Sequence, residues 1–260
     1  MPEGDTVYAT AHRLTEALAG VTLVRADLRH PRLSTVDLTG RALDRAVSVG
    51  KHLFLRFSGE LSLHCHLGMD GSWRIYTGRA PVNHQTRAVL GVPGRTAVGK
   101  LLLEMALVST SDEHRLVAHL GPDLLAPDWS DEHQAEAVRR LTADPARPLG
   151  EALLDQTVMA GVGNVYKVEL CFLLGVSPWM PVSDVDAETA VRWARKLLVR
   201  NALNPVRNTT GDPRRGRALW VYGRLREGCL RCGGRVVHTK GDRVTYHCPR
   251  CQPGPSHGLS

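Results

Sequence analysis

Four cysteines have the spacing of a metal site. Cys229 and Cys232 form one Cys-x2-Cys pair, Cys248 and Cys251 form another, and fifteen residues separate the pairs. Each pair can sit on a tight turn and aim both thiolates at one tetrahedral ion, with the intervening residues as the arms of a hairpin. Four cysteine ligands close the coordination sphere, so the expectation is one structural zinc ion rather than a catalytic one. Four unrelated buried thiols are the weaker alternative. Between the pairs, Arg235, Lys240 and Arg243 supply cations. An arginine near a hairpin tip can reach a nucleic-acid groove; a solvated arginine is the plain alternative.

A second signal is Ala160-Gly161-Val162-Gly163-Asn164. Two glycines before a helix let backbone amides converge on a phosphate at the helix N-terminus. A dinucleotide-binding turn would need a preceding strand and a third glycine, and Tyr166 stands where that glycine belongs. A phosphate site and a helix-packing elbow both remain open.

A third signal lies at the start. Proline at position 2 permits removal of Met1, which leaves a secondary amine at Pro2. An α-amino group titrates near pH 8, against about 10.4 for lysine, so roughly a tenth of it is free base at neutral pH. Such an amine can attack a carbon bonded to oxygen and form an iminium, and Glu3 beside it could move protons. Taken alone, a Pro-Glu start carries little information.

These residues must be held by ordinary folded elements. The chain has 260 residues, 43% hydrophobic and 23% charged, a globular composition of about two domains. It contains no run of 18 apolar residues, and its start lacks an apolar targeting segment. Collagen, coiled coil, mucin and membrane protein are excluded, and a cytoplasmic protein is expected. Charge is unevenly spread. Residues 1–130 carry a net +1, residues 131–191 a net −6 and residues 192–250 a net +12. The basic block points to a polyanion. An arginine-rich composition, 28 Arg against 5 Lys, is the competing explanation, but it would not clear acids from one segment.

Val7, Ala11, Leu14 and Leu18 predict a first helix that stops at Gly20. Strand signals follow at 22–29, 51–57, 61–67, 73–76 and 86–92. The period then changes, and helices are predicted over 131–141, 148–154, 164–174 and 187–202. Residues 204–217, with Pro205, Gly211, Pro213 and Gly216, read as a mobile loop.

The motifs taken together resemble a known family. They are Pro2-Glu3-Gly4, Gly50-Lys51-His52-Leu53, His66-Leu67-Gly68-Met69-x-Gly71 and Leu120-Gly121-Pro122-Asp123. Asp155-Gln156-x4-Gly161-x-Gly163-Asn164-x-Tyr166, Trp220-Val221-Tyr222-Gly223-Arg224 and the four cysteines complete the series. From residue 2 to about 252 the chain resembles the formamidopyrimidine-DNA glycosylase/endonuclease VIII family, and its details look closest to the second endonuclease VIII of actinobacteria. The resemblance implies an α+β multidomain fold. It has an N-terminal β-sandwich catalytic domain with a leading helix (1–129), a helix–two-turn–helix DNA-binding domain (130–222), a zinc-finger β-hairpin (223–252) and a disordered tail (253–260). It implies a bifunctional DNA glycosylase and apurinic/apyrimidinic lyase of base excision repair, a monomer with damaged DNA as partner and nucleoid-associated by that function. By resemblance Pro2 is the Schiff-base nucleophile and Glu3 assists base departure and proton transfer. Lys51 contacts phosphate and assists β-elimination. Asn164, with the amides near Gly161 and Gly163, binds phosphate beside the lesion. Arg243 binds phosphates there and assists δ-elimination, and Met69 fills the gap left by the flipped base.

Departures narrow the substrate. The formamidopyrimidine branch has an Arg-Phe pair in the sandwich, and no aromatic residue occurs between Gly91 and Glu113. That favours the endonuclease VIII branch and oxidised pyrimidines. The alternatives are the same chemistry on 8-oxopurine and formamidopyrimidine lesions, or a zinc-finger protein that binds damage without cutting. Thr6 stands where many relatives carry a second glutamate. His64 and His66 would share a strand face, Cys65, Cys171, Trp193 and Leu197 read as packing, and Tyr222 is ambiguous between packing and DNA contact.

Overall fold

The architecture is taken from a computed structural model that describes residues 2–239, 241 and 243–256; Lys240 and the last four residues lie outside these. The chain divides into two compact units, 1–119 and 120–260.

The first unit opens with α1 (Gly4–Leu18). Its predicted stripe, Val7, Ala11, Leu14 and Leu18, is buried, and Gly20 follows with φ 75°. The strands are β1 (Arg25–Leu28), β2 (Leu43–Val49), β3 (His52–Phe57), β4 (Leu61–His66), β5 (Ser72–Thr77), β6 (Thr86–Val92), β7 (Arg95–Lys100) and β8 (Glu104–Ser109). They form two antiparallel sheets of order β1-β6-β7-β5 and β2-β3-β4-β8. Leu53, Leu55, Phe57, Leu63 and Cys65 point into the core shared with α1. The alternate residues of β3 and β4 are His52, Phe54, Arg56, Ser62, His64 and His66. After β8 a short helix, α2 (Glu113–Val117), places Glu113 against this second face. Its carboxylate accepts from Arg56 at 2.6 Å and from Ser62 at 2.5 Å. Unlike the five strands that the pattern predicts, β2, β7 and β8 lack a clean alternation. A bulge between Leu43 and Arg45 breaks the period of β2, and Gly99 interrupts β7.

The second unit contains α3 (Asp131–Leu141), α4 (Leu149–Leu154), α5 (Asn164–Leu174) and α6 (Ala187–Asn201), then the hairpin β9 (Val237–Thr239) and β10 (Thr245–His247). Ser130 caps α3 by accepting from the His133 amide, and Asp186 caps α6 by accepting from the Thr189 amide. The division falls ten residues before the expected 129, because residues 121–124 are already tied into this unit. Gly121 donates to the Gln156 carbonyl at 2.8 Å, and Ala160 donates to that of Pro122 at 2.9 Å.

Residues 204–217 form no helix or strand, as the glycines and prolines predict, yet they are tied down. Asn201 bonds Asn208 in both directions, and Thr210 donates to the Arg217 carbonyl. Glu169, fully buried on α5, accepts from the Thr209 hydroxyl and from the amides of Trp220, Val221 and Tyr222 at 2.8–3.0 Å. Burial pushes its pKa up; the four donors oppose that. The described start of the expected tail is also anchored: Ser177 donates to the carbonyls of Pro253 and Pro255. Removing the Glu169 carboxylate would leave three amides, the buried one of Val221 among them, without their acceptor. Glu169→Ala is therefore expected to destabilise the fold by about 3 kcal/mol or more, read as a lowered urea midpoint.

Candidate catalytic and metal sites

The candidate residues fall into two groups, one in each unit. The first group depends on the direction of α1. Thr15 accepts from the Ala46 amide at 2.9 Å, and Gly20 donates to the Leu43 carbonyl. The helix thus runs antiparallel to β2, and its start lies toward the Val49 end. Val49 pairs with His52, so Gly50 and Lys51 make a two-residue hairpin tip, with Gly50 at φ 57°. His52 pairs in turn with His66, and Ser72 with Lys100. The Lys51 tip, the 67–71 connection with Met69 and the 101–103 connection therefore share the end of the sandwich toward which Pro2 and Glu3 lie.

Glu3 is fully buried as the first residue before α1, and its carbonyl accepts from the Thr6 and Val7 amides. The helix N-terminus favours a carboxylate there. Pro2 and Lys51 are half-buried, and Met69 is exposed. Lys51 lies within electrostatic reach of His52 and His66. His66 is a residue whose role the sequence reading missed. Its Nδ1 accepts from the Gly68 amide at 3.1 Å, so in the neutral ring the proton sits on Nε2 as a donor. The adjacency of His52 and His66 across two strands was the available signal, but it needs the register.

His64 and His66 do share a face, joined there by His52 and His119. His52 Nδ1 and His64 Nε2 are 2.9 Å apart, and the His119 ring lies edge-on to His52 at 6.0 Å. Burial first, then the neighbouring cations, pushes the pKa of His52 down to about 4; burial also lowers His64 and His66.

In the second unit Gly161 adopts φ 111° and donates its amide to Gln156 Oε1 at 3.1 Å. That amide is thus spent within the loop, and Gly161 serves conformation. Gly163 precedes α5 with an ordinary φ of −122°. Asn164 is 3% exposed and donates from Nδ2 to the Val244 carbonyl at 2.8 Å, while its Oδ1 is buried without a hydrogen-bond partner. It thereby links the start of α5 to the residue beside Arg243, which is exposed.

The four cysteine sulfurs lie within 4.8 Å of one another, the only such metal-ligand group among the described residues. Two separations, 3.8 Å for Cys229–Cys251 and 3.6 Å for Cys232–Cys248, match the edge of about 3.8 Å that a tetrahedron with ~2.3 Å metal–sulfur bonds requires. They are far beyond a disulfide. The Gly234 amide draws Cys232 down to about 7, while burial pushes Cys251 up to about 12, so a bound dication would be needed to keep all four as thiolates. Gln252 braces the site, accepting from the Cys248 amide and donating to the Val176 carbonyl. Cys65, Cys171 and Leu197 are core residues. Trp193 is half-buried with Lys196 over its ring, and Tyr222 packs on Tyr246 at 5.0 Å.

Comparison with known proteins puts this chain, with its two-sheet unit and leading helix, its helical unit and its four-cysteine hairpin, in a DNA glycosylase/lyase class of enzyme. The family pattern of the formamidopyrimidine-DNA glycosylase N-terminal domain matches residues 1–98, and that of its H2TH domain matches residues 120–205. A probable endonuclease 8 2 of Streptomyces coelicolor is 52% identical over 98% of this chain and 95% of its own. A DNA-(apurinic or apyrimidinic site) lyase Nei2 of Mycolicibacterium smegmatis is 50% identical over 97% and 99%. A Lactococcus lactis formamidopyrimidine-DNA glycosylase structure superposes with TM-score 0.80 over 97% of this chain and 100% of its own, at 22% identity, and shows the fold. The chain belongs to the formamidopyrimidine-DNA glycosylase family. No described helix is long and apolar enough to cross a membrane.

The histidine cluster makes stability depend on pH. Free histidine titrates near 6.5 in the unfolded chain and His52 near 4 in the fold, so between these values the unfolded state binds more protons. The urea midpoint is expected to fall as pH drops from about 6.5 to 4, and more gently in His52→Gln, which removes the group with the largest shift.

Proposed function

We propose that this enzyme removes oxidised pyrimidines from DNA through a Schiff base at Pro2 and then nicks the strand by β,δ-elimination. The observation that carries the reading is the shared end of the sandwich. The α1 start with Pro2 and Glu3, the Lys51 tip and the Met69 connection all lie toward it. The freed Pro2 amine attacks C1′ of the damaged nucleotide. The glycosidic bond breaks, and the base leaves with a proton delivered through Glu3; the amine then gives up its proton and the C1′–O4′ bond opens with O4′ protonated, so an iminium joins Pro2 to the ring-opened sugar. Removal of a C2′ proton expels the 3′ phosphate, and a second elimination expels the 5′ phosphate.

Lys51 and the Nε2–H of His66 are the donors suited to a phosphate at that end. In the other unit, Arg243 supplies a fixed positive charge for the departing phosphates. Asn164 holds the Arg243 loop through Val244. The cysteine site would hold zinc, the borderline-soft ion that four thiolates favour, and its chemistry there is structural. Affinity for damaged DNA should fall steeply with salt, as expected for the basic 192–250 block. The pyrimidine preference is supported by the lack of any aromatic residue between Gly91 and Glu113, where the formamidopyrimidine branch carries its Arg-Phe pair.

Borohydride trapping tests the reading. Protein with a free Pro2 amine should give a covalent band with a thymine glycol duplex and with abasic DNA, and a form extended before Pro2 should give none. Cutting by the extended form, or no band from the free form, overturns the mechanism. Excision of 8-oxoguanine faster than thymine glycol would overturn the substrate class. One zinc per chain is expected by elemental analysis, and Cys251→Ser should lose it together with DNA affinity.

A further inference from the structure

Lys167 is a buried cation that the chemistry proposed above does not use. It lies on α5, is 3% exposed, and its Nζ donates to the Thr245 hydroxyl of β10 at 2.6 Å. An ammonium offers donors and no acceptor, so this hydroxyl accepts from Lys167 and spends its own proton elsewhere. It donates to the carbonyl of Arg243 at 3.3 Å. A chain of hydrogen bonds thus runs from the buried face of α5 to the backbone of the exposed arginine. A charged first donor polarises the hydroxyl and strengthens the second bond.

Thr239 pairs with Thr245, so Arg243 and Val244 lie in the connection between the two strands. Close packing does not fix this connection from the α4 side. A cavity of about 620 Å³ lies there, bordered by Arg147, Leu154, Lys167, Trp179, Thr239 and Arg243. Polar bonds from α5 hold the connection instead. Asn164 and Lys167 are three residues apart on one face of that helix, and they bond the consecutive residues Val244 and Thr245. Methionine would fill the space of Lys167 without the cost of desolvating a charge, so packing alone does not call for a lysine. The charge is spent on Thr245, and through it on Arg243.

We propose that Lys167 and Thr245 are positioning residues for Arg243, and that this buried pair governs how far strand cleavage proceeds. The inference rests on the functional reading above and adds two residues to it. Both eliminations start from the iminium. In the first, C2′ lies next to the iminium carbon, which makes its proton acidic, and the 3′ phosphate leaves. In the second, the C4′ proton passes to water, its electron pair becomes the C4′=C5′ double bond, and the C5′–O bond breaks with its electrons on the 5′ phosphate. That proton is two carbons farther from the iminium, so the step depends more on a cation fixed beside the leaving phosphate. A misplacement of about 1 Å can cost on the order of a hundredfold in rate. Loosening the Arg243 backbone therefore slows the second elimination before the first.

The test uses the full chain, zinc-loaded and with a free Pro2 amine, on a duplex bearing a preformed abasic site. The β product ends in an unsaturated aldehyde and the δ product in a 3′ phosphate, and a denaturing gel separates them. Lys167→Met and Thr245→Val should each lower the δ-to-β ratio by about tenfold, while borohydride trapping stays within about twofold of wild type. Lys167→Arg keeps the charge and the donors and should recover most of the ratio. In an Arg243→Ala background the ratio is already low, and Lys167→Met should lower it no further. A ratio equal to wild type in both Lys167→Met and Thr245→Val overturns the proposal. So does a further fall in the Arg243→Ala background. Loss of zinc and of trapping in step with the ratio also overturns it, because the pair would then only hold the hairpin together. Wild type that gives no trapped band, or only the β product, would instead sink the functional reading, and this inference with it.

Discussion

The direction in which α1 lies along β2 governs the catalytic unit. Val7, Ala11, Leu14 and Leu18 must be buried, and Thr15 locks the helix to Ala46, so the chain start is carried toward one end of the sandwich. Antiparallel register then brings the Lys51 tip, the Met69 connection and the 101–103 connection to that same end. A residue at a chain terminus is otherwise poorly positioned, because terminal residues fray. Here a buried glutamate and a fifteen-residue helix follow directly behind it.

The second unit solves a different problem. Its hairpin has only three residues in each strand, too little to hold itself together. The four cysteines offer one brace. Val168 and Phe172 of α5 offer another, packing with Val221, Cys229, Val236 and Cys248. Glu169 joins the two, since its carboxylate gathers the three amides through which the chain enters the hairpin. Asn164, one and a half turns earlier on the same helix, fastens the Arg243 loop. One helix thus sets both the base and the tip of the four-cysteine element.

Much of the site is polar groups held against a cost. Glu3 and Glu169 are fully buried, and the imidazoles of His52, His64 and His66 are shifted toward neutrality. Neutral histidines can lie close together, whereas charged ones would repel beside Lys51. The sandwich face behind the Lys51 tip therefore favours the unprotonated cluster.

Local pattern was enough for the elements with a strong period. The helices at 4–18, 131–141 and 164–174 and the clean strand at 61–66 follow from spacing alone, and the cysteine site from its Cys-x2-Cys pairs, because those signals lie within a few residues. The motif order was also legible, and the family with it. The weak strands β2, β7 and β8 were not, since bulges and glycine hide their period and only pairing with neighbours makes them strands. Nor were the loops that look mobile yet are pinned by Glu169, or the histidine cluster drawn from positions 52, 64, 66 and 119. Spacing likewise gave no warning that the Gly161 amide is taken by Gln156. Each of these depends on contacts between residues distant in sequence, or on backbone angles imposed by such contacts. A one-dimensional pattern does not contain them, and burial and register decide them only when the chain has folded.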